Sequence, residues 1–144
     1  MSSKVRKVIT EKEIRVRYVE TDKMGITYHA NYFVWFEVAR IHMLDELGVV
    51  YKTLEEEGFF LPVVECQARF LAPVKFDDVV KIVTELELSN RAKFRIDYVV
   101  WCEGRQVTKG YTYHAFMDKD GRVTRPPERF LEAAAKFAVE KEST

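Results

Sequence analysis

Apolar and charged side chains alternate along the chain from about residue 14 to residue 20. This period of two is typical of a β-strand with one face toward solvent. The alternation stops at Thr21, and residues 21–29 contain no apolar repeat but include Gly25, which permits a tight turn. We therefore predict a first strand followed by a loop rich in functional groups.

Residues 31–47 have the length and composition of a helix, with Asn31 as the expected N-cap and Gly48 where the helix should end. Apolar side chains cover most of its circumference, which indicates burial by more than one neighbour. Glu37 and Arg40 lie within this apolar arc, three residues apart. They can form a buried ion pair, or Glu37 can line a ligand pocket, and the sequence leaves both interpretations open.

The remaining pattern predicts a short acidic helix over residues 53–57 and then antiparallel strands over residues 63–70, 78–88, 94–102 and 107–117. Pro73 follows the first of these strands and should either interrupt the ladder or lie at a sheet edge. The side chains expected to face inward from the last strand are Val107, Tyr111, Tyr113, Ala115 and Met117.

A terminal helix should begin at Pro126-Pro127-Glu128 and run to about Val139. Taken in order, the elements are a strand, a long buried helix and a series of antiparallel strands. This order predicts an α+β domain in which one curved antiparallel sheet wraps around a central helix.

Composition supports a single domain over residues 1–144, since 47% of the residues are hydrophobic and 13% are aromatic. The 23 Lys and Arg residues balance 23 Asp and Glu residues, so no general charge attracts nucleic acid or an anionic membrane. No apolar run approaches the roughly 20 residues of a membrane span, and the N-terminus lacks the apolar centre of a signal peptide. We expect a soluble, cytoplasmic protein that binds no nucleic acid.

Cysteine and histidine spacing gives no indication of a metal site or a disulfide framework. Cys66 and Cys102 lie in apolar-rich segments without a Cys-x-x-Cys partner, so we predict reduced thiols in the core. His29, His42 and His114 have neither close spacing nor companions arranged as ligands. We therefore expect no metal.

The polar loop before the long helix is the segment best suited to chemistry. Helix N-termini present unpaired N–H groups and partial positive charge, which can hold a developing oxyanion. Asp22 lies a few residues upstream, where a carboxylate can attack an acyl carbon or activate a water. Spacing alone equally allows Asp22 an ordinary loop or capping role.

Residues 18–32, Tyr-Val-Glu-Thr-Asp-Lys-Met-Gly-Ile-Thr-Tyr-His-Ala-Asn-Tyr, closely resemble the signature of the 4-hydroxybenzoyl-CoA thioesterase family of hotdog-fold enzymes. The pattern Asp-x-x-Gly-x-x-Tyr-His-Ala-x-Tyr is most similar to the bacterial short-chain acyl-CoA thioesterase branch associated with the Tol-Pal system. A second match is Leu-Pro-Val-Val-Glu-Cys at residues 61–66, which leads into Phe70 and Ala72-Pro73. The resemblance covers residues 14–125 and implies the hotdog fold, a helix wrapped by an antiparallel sheet.

The resemblance also implies catalytic roles. Asp22 is expected to be the nucleophile or the general base on water, and the backbone N–H of His29 is expected to polarise the thioester carbonyl. The imidazole of His29 need not take part. Tyr28 and Asn31 are expected to shape the loop and cap the helix.

Substrate-binding residues are implied in the same way. Glu37 corresponds to a carboxylate that contacts the acyl group, and backbone groups near Val63 and Val64 would hold the pantetheine arm. Arg91 and Lys93 lie in a turn between two strands, where they could bind the CoA phosphates or simply be solvated. An acyl pocket could be lined by four aromatic residues, namely Phe33, Trp35, Phe36 and Phe59.

The activity implied is hydrolysis of an acyl-CoA to a free acid and CoA, without a metal or redox cofactor, by a homodimer or homotetramer. Two alternatives stay open: hydrolysis of thioesters on acyl-carrier protein, and a non-catalytic acyl-thioester-binding partner of an envelope or lipid-synthesis assembly. A dehydratase is disfavoured, because the loop lacks the His and carboxylate pair of that reaction. The sequence leaves the acyl group undetermined.

Overall fold

The structure, a computed structural model, describes residues 4–142. The strands are β1 (Lys4–Arg15), β2 (Val63–Phe70), β3 (Val79–Glu87), β4 (Lys93–Cys102), β5 (Arg105–Ala115) and β6 (Val139–Glu142). The helices are α1 (Ala30–Glu46), α2 (Tyr51–Glu56) and α3 (Glu128–Phe137), and a 3₁₀ helix spans Tyr18–Glu20. Among the described helices, none is long and apolar enough to cross a membrane.

The six strands form one antiparallel sheet in the order β2-β5-β4-β3-β1-β6. The predicted α+β hotdog architecture is confirmed, and β2 occupies a sheet edge, which is one of the two outcomes expected from Pro73. The inward-facing residues of α1 pack against the sheet and are Tyr32, Trp35, Phe36, Ala39, Met43 and Leu44.

The close approach of α1 to the sheet depends on one glycine. The ring of Phe36 stacks on that of Tyr98 with centroids 4.3 Å apart and planes at 7°. Gly110 is opposite Tyr98 in β5, and a Cβ there would lie 2.7 Å from Phe36 Cε2 and 2.5 Å from the carbonyl oxygen of Gln67. Any larger residue at position 110 would displace the helix or the edge strand.

The start of α1 differs from the prediction. The N-cap is His29, two residues before Asn31, and the Asn31 side chain instead donates a hydrogen bond from Nδ2 to the carbonyl oxygen of Glu20 at 2.9 Å. The predicted end is confirmed, since Gly48 adopts a φ of 75° just after the C-cap Leu47. The Asn31 side chain therefore joins the helix to the preceding segment.

The first strand is also shifted. β1 begins at Lys4 and ends at Arg15, whereas residues 18–20 form a 3₁₀ turn instead of continuing the strand. The physical reason is that the Glu20 carboxylate accepts a hydrogen bond from the backbone N–H of Arg17 at 2.8 Å, which bends the chain back on itself. Apolar alternation alone does not reveal this local competition.

The inward face of β5 was predicted incorrectly at Tyr111 and Tyr113, whereas Val107 and Ala115 are buried as expected. Val100 is opposite Thr108 but Trp101 is opposite Gln106, so Val107 is an extra residue that forms a β-bulge. The bulge changes which residues face inward, and both Thr112 and His114 are buried. The residues wrongly expected to face inward are Tyr111 and Tyr113.

Two further corrections concern the C-terminal segment and the cysteines. The predicted terminal helix ends earlier than expected, because α3 stops at Phe137. Val139 instead begins the short strand β6, which pairs with β1. Cys66 is exposed on the edge strand β2, so its predicted burial is wrong. Cys102 is buried, and this burial raises the pKa of its thiol.

Candidate active site

A cleft of about 400 Å³ opens between the loop that precedes α1 and the end of β2. Its lining residues are Asp22, Ile26, Thr27, His29, Tyr32, Phe70, Leu71, Ala72 and Pro73. The cleft brings together the two residues predicted to be catalytic, Asp22 and His29, although seven positions separate them.

The backbone of a tight turn fixes the position of Asp22. Its N–H donates to the carbonyl oxygen of Ile26 at 2.8 Å, and its own carbonyl oxygen accepts from Gly25 at 3.0 Å. Gly25 has a φ of 78°, a conformation that strains other residues. Carboxylate Oδ1 accepts from the N–H of Met24 at 2.8 Å, while no donor in residues 4–142 binds Oδ2. The second oxygen is therefore available at the cleft.

His29 is the residue at which the helix begins. Its backbone is already helical, and no acceptor within residues 4–142 takes its N–H. The helix N-terminus adds partial positive charge at this point. The imidazole is exposed and lies 4.3 Å from the ring of Tyr28 and 6.2 Å from the ring of Phe70, measured between centroids. The cleft thus has a carboxylate and an electropositive backbone end.

The opposite wall of the cleft is apolar. Tyr32 is 3% exposed, its ring lies 5.2 Å from that of Phe70, and burial raises the pKa of its phenol. The end of β2 and the turn after it contribute further apolar side chains, Leu71, Ala72 and Pro73. Such a wall suits a ligand that carries apolar surface next to a polarised group.

The remaining predicted binding residues lie outside this cleft. Tyr28 stands at its rim with 48% of its surface exposed. Glu37 is also exposed, and Arg40 does not pair with it in a buried ion pair, because Arg40 Nη1 donates to the hydroxyl of Tyr98 at 3.1 Å. Glu37 and Arg40 instead border a shallow pocket of about 80 Å³ next to Leu61.

The predicted pantetheine and phosphate positions are surface features of this chain. Val63 and Val64 are exposed on the edge strand β2. Arg91 and Lys93 border an open depression of about 650 Å³ at the β3–β4 turn, together with Arg95 and several acidic side chains. Neither pair shares the cleft that contains Asp22.

Two of the aromatic residues predicted to line an acyl pocket belong to the core instead. Trp35 and Phe36 are almost fully buried, at 1% and 0% exposure. The residues of α1 that reach the cleft come one turn earlier. In residues 4–142, no group of three or more His, Cys, Asp or Glu side chains is arranged to hold a metal ion.

The sequence analysis missed the role of Glu20 beneath the loop. Glu20 is 4% exposed, and its Oε2 accepts a hydrogen bond from the indole Nε1 of Trp35 at 2.8 Å. Burial alone would raise the pKa of Glu20, but hydrogen bonds from the Arg17 backbone and from Trp35 lower it overall. A separation of fifteen residues between a turn and a helix gave no signal of this contact.

Comparison with known proteins identifies the relatives of this chain. The sequence profile described as the Thioesterase-like superfamily matches residues 16–134. The Bacillus subtilis protein YneP, provisionally named an acyl-CoA thioesterase, is 35% identical over 113 residues, which cover 78% of this chain and 82% of YneP.

Two crystal structures show the same architecture. A hypothetical protein from Thermus thermophilus superposes with a TM-score of 0.82 at 38% identity, over 88% of this chain and 98% of that chain. The DHNA-CoA thioesterase from Staphylococcus aureus superposes with a TM-score of 0.78 at 34% identity, over 81% of this chain and 80% of that chain. The sequence comparison and the structure comparison thus both place this chain among thioesterase-like proteins.

Proposed function

Because this chain belongs to the thioesterase-like superfamily and is an enzyme that acts on thioesters, we propose that it hydrolyses an acyl-CoA to a free acid and CoA. The observation that carries the proposal is the cleft at the start of α1. It combines the free Oδ2 of Asp22, the N–H of His29 that no acceptor in residues 4–142 takes, and an apolar wall.

Asp22 supplies the carboxylate for the reaction. Hydrolysis adds a water oxygen to the acyl carbon and breaks the C–S bond, and a proton passes to the departing thiolate. Asp22 either removes a proton from that water or attacks first, to form an anhydride that water then opens. Both routes use Oδ2, since Oδ1 is bound to Met24 within the turn.

The start of α1 stabilises the charge that develops on the carbonyl oxygen. The N–H of His29 donates to that oxygen, and the partial positive charge of the helix N-terminus favours it. This role needs the backbone of His29 and not its ring. A substitution of the ring should therefore affect the rate far less than a change at Asp22.

Arg91 and Lys93 are proposed to bind the phosphates of CoA, and backbone groups of β2 near Val63 and Val64 are proposed to hold the pantetheine arm. The proposal is supported by the basic side chains of the open depression at the β3–β4 turn and by the position of β2 at an edge of the sheet. The Arg91→Ala and Lys93→Ala double variant should raise KM for acyl-CoA. It should leave hydrolysis of an acyl-carrier-protein thioester nearly unchanged, because that donor lacks the nucleotide phosphates.

A homodimer would complete the cleft with parts of a second chain. The proposal is supported by exposed apolar side chains on α1, namely Val34, Val38 and Ile41, with 48%, 39% and 38% exposure, and by the position of β2 at an edge of the sheet. Sedimentation velocity should show a dimer or a dimer of dimers. A fully active monomer would contradict this part of the proposal.

Three finer assignments stay predictions: the cytoplasmic location, the Tol-Pal-associated branch and the independence from metal or redox cofactors. Glu37 as an acyl contact is also a prediction, supported by its place beside the pocket near Arg40.

A panel of donors from acetyl-CoA to palmitoyl-CoA, with benzoyl and hydroxybenzoyl esters, would identify the preferred acyl group. Dialysis against a chelator should leave the rate unchanged.

The deciding experiment replaces Asp22 by Asn and measures release of free thiol across that panel. We expect kcat/KM to fall by about 100-fold or more, the usual loss when a catalytic carboxylate is removed. Asp118→Asn is a matched control, because Asp118 Oδ1 also accepts backbone N–H groups in a turn but lies outside the cleft. Near-wild-type turnover by Asp22→Asn would overturn the mechanism.

A further inference from the structure

Glu20 is a buried carboxylate that the proposed reaction does not use. It is 4% exposed and does not line the cleft, yet it lies two residues before Asp22. A carboxylate removed from water is costly unless donors satisfy it. The arrangement of its donors therefore indicates what Glu20 does.

The carboxylate joins the loop to α1. Oε1 accepts from the backbone N–H of Arg17 at 2.8 Å, and Oε2 accepts from the indole N–H of Trp35 at 2.8 Å. The guanidinium of Arg17 is more distant, at 3.4 Å, and is largely exposed. The two strong contacts thus come from one backbone group before the loop and one rigid, buried ring on the helix.

The backbone of Glu20 makes a second set of contacts with the same helix start. Its carbonyl oxygen accepts from the N–H of Tyr28 at 2.9 Å and from Nδ2 of Asn31 at 2.9 Å. Tyr28 immediately precedes His29. Glu20 therefore contacts the chain before the catalytic loop, the chain after it, and the second turn of α1.

The consequence is geometric. Asp22 follows Glu20 by two residues, and His29 follows the bonded Tyr28 by one. The bonds of Glu20 therefore set the separation between the Asp22 carboxylate and the oxyanion-binding N–H of His29. Displacement of a reacting group by about 1 Å can reduce a rate by roughly 100-fold. We propose that Glu20, held by the indole of Trp35, is a positioning residue that fixes Asp22 against the N-terminus of α1.

This inference rests on the proposed thioesterase function, and it requires the ionised form of Glu20. An ionised carboxylate offers acceptors to both the Arg17 N–H and the Trp35 N–H. A glutamine can accept from one of them but must present its own NH2 group to the other. Glu20→Gln therefore keeps the size of the side chain but places its NH2 group against one of the two N–H donors, so that two donors face each other without an acceptor.

The test compares Glu20→Gln, Trp35→Phe and the double variant by steady-state kinetics with the best donor of the panel. We expect kcat to fall by about 10- to 100-fold in Glu20→Gln while KM changes by less than about threefold, because the binding surfaces remain in place. Trp35→Phe should lower kcat in the same sense. Because the two side chains act through one bond, the double variant should fall no lower than Glu20→Gln alone.

Ile82→Val is the control for stability, because Ile82 is a fully buried residue of β3 that does not line the cleft. It should lower Tm and leave kcat unchanged at temperatures where the protein is folded. Glu13→Gln is the control for charge, since Glu13 is an exposed carboxylate of β1. The proposal is overturned if Glu20→Gln keeps its kcat within about threefold of wild type, or if the two single effects multiply in the double variant.

Hydrogen exchange of the Tyr28 amide separates this inference from the proposed function. In Glu20→Gln the amide should lose protection, while the amides of β3 and β4 keep theirs. If wild-type protein releases no thiol from any donor but the variant loses protection at Tyr28, the function is wrong and the role of Glu20 in holding the loop stands. If wild type is active and the variant loses neither kcat nor protection, the inference on Glu20 alone fails.

Discussion

Glu20 and His114 are two buried ionisable groups, of which the protein keeps the first ionised and the second neutral. Hydrogen-bond donors surround Glu20, and they lower its pKa against the effect of burial, so the carboxylate is charged. His114 is 0% exposed, and burial together with the charge of Arg40 lowers its pKa to about 4, so the imidazole is neutral. A lowered pKa keeps an acid ionised and a base neutral at neutral pH. In each case the neighbouring groups must supply hydrogen-bond partners that suit that protonation state.

The neutral His114 lies at the end of a chain of hydrogen bonds that begins at Arg40. Arg40 donates to the hydroxyl of Tyr98 at 3.1 Å, which lies 2.8 Å from Thr112 Oγ1, and this oxygen lies 2.7 Å from Nε2 of His114. Nδ1 faces the carbonyl oxygen of Leu61 at 3.4 Å. If Nδ1 donates to that carbonyl, Nε2 must accept, and the chain then needs each hydroxyl to donate toward His114. A second proton on the imidazole would leave one donor without an acceptor.

The largest expected effect is on stability at acid pH, and it comes from His114. Its pKa is 6.5 in the unfolded chain and about 4 in the folded protein, so the unfolded state binds more protons between these values. Stability is therefore fully present above pH 6.5 and decreases as the pH falls. We expect the free energy of unfolding in urea to fall by roughly 2–3 kcal/mol from about pH 7.5 to about pH 4.5.

Glu20 acts in a different pH range, and this difference sharpens the comparison. Its pKa is lowered from 4.5, so its contribution is lost only as the pH falls below that value. His114→Gln, which does not titrate, should flatten the stability profile between about pH 6.5 and about pH 5 and leave the loss at lower pH in place. A variant whose profile matches wild type above pH 5 would show that His114 is not the group responsible.

The sequence allowed a correct prediction of the sheet, the central helix and the loop with Asp22, because these depend on local periodicity and on a continuous motif. The predictions failed where a single residue changes the pattern. The bulge at Val107 turned His114 inward, and the Glu20 carboxylate ended the strand alternation. Neither change alters the average composition of its segment, so periodicity could not detect it.

The site was predicted in part for the same reason. Asp22 and His29 belong to one stretch of sequence and meet in the cleft, whereas Trp35 was assigned to a substrate pocket and instead binds Glu20. A tryptophan on a helix can face a pocket or the core, and the choice depends on where distant strands lie. The proposed binding residues Val63, Val64, Arg91 and Lys93 do not line the cleft of this chain. They come from separate segments of the sequence, and local patterns do not predict how such segments are placed relative to one another.

A smaller effect is expected from Tyr98→Phe, which interrupts the His114 chain. The substitution removes the hydroxyl between Arg40 and Thr112, and it should lower the free energy of unfolding at neutral pH by about 1 kcal/mol. Thr112 would then be free to accept from a protonated His114, so the loss of stability at acid pH should become smaller. Tyr111→Phe is the matched control, because the hydroxyl of Tyr111 bonds Glu65 on the outer face of the sheet. Equal losses in both variants would contradict a buried chain.

The smallest expected effect concerns the donors of Glu20. The Arg17 guanidinium is 70% exposed and 3.4 Å from the carboxylate, whereas the Arg17 backbone N–H is 2.8 Å away and survives any substitution of the side chain. Arg17→Gln should therefore lower the free energy of unfolding by no more than about 0.5 kcal/mol, as for other exposed ion pairs. Its kcat should equal that of wild type, in contrast to Glu20→Gln. If Arg17→Gln instead loses as much activity as Glu20→Gln, the ion pair with Arg17 holds the carboxylate, and the backbone and indole donors do not. The contribution of Glu20 would then depend on ionic strength, whereas that of His114 would not.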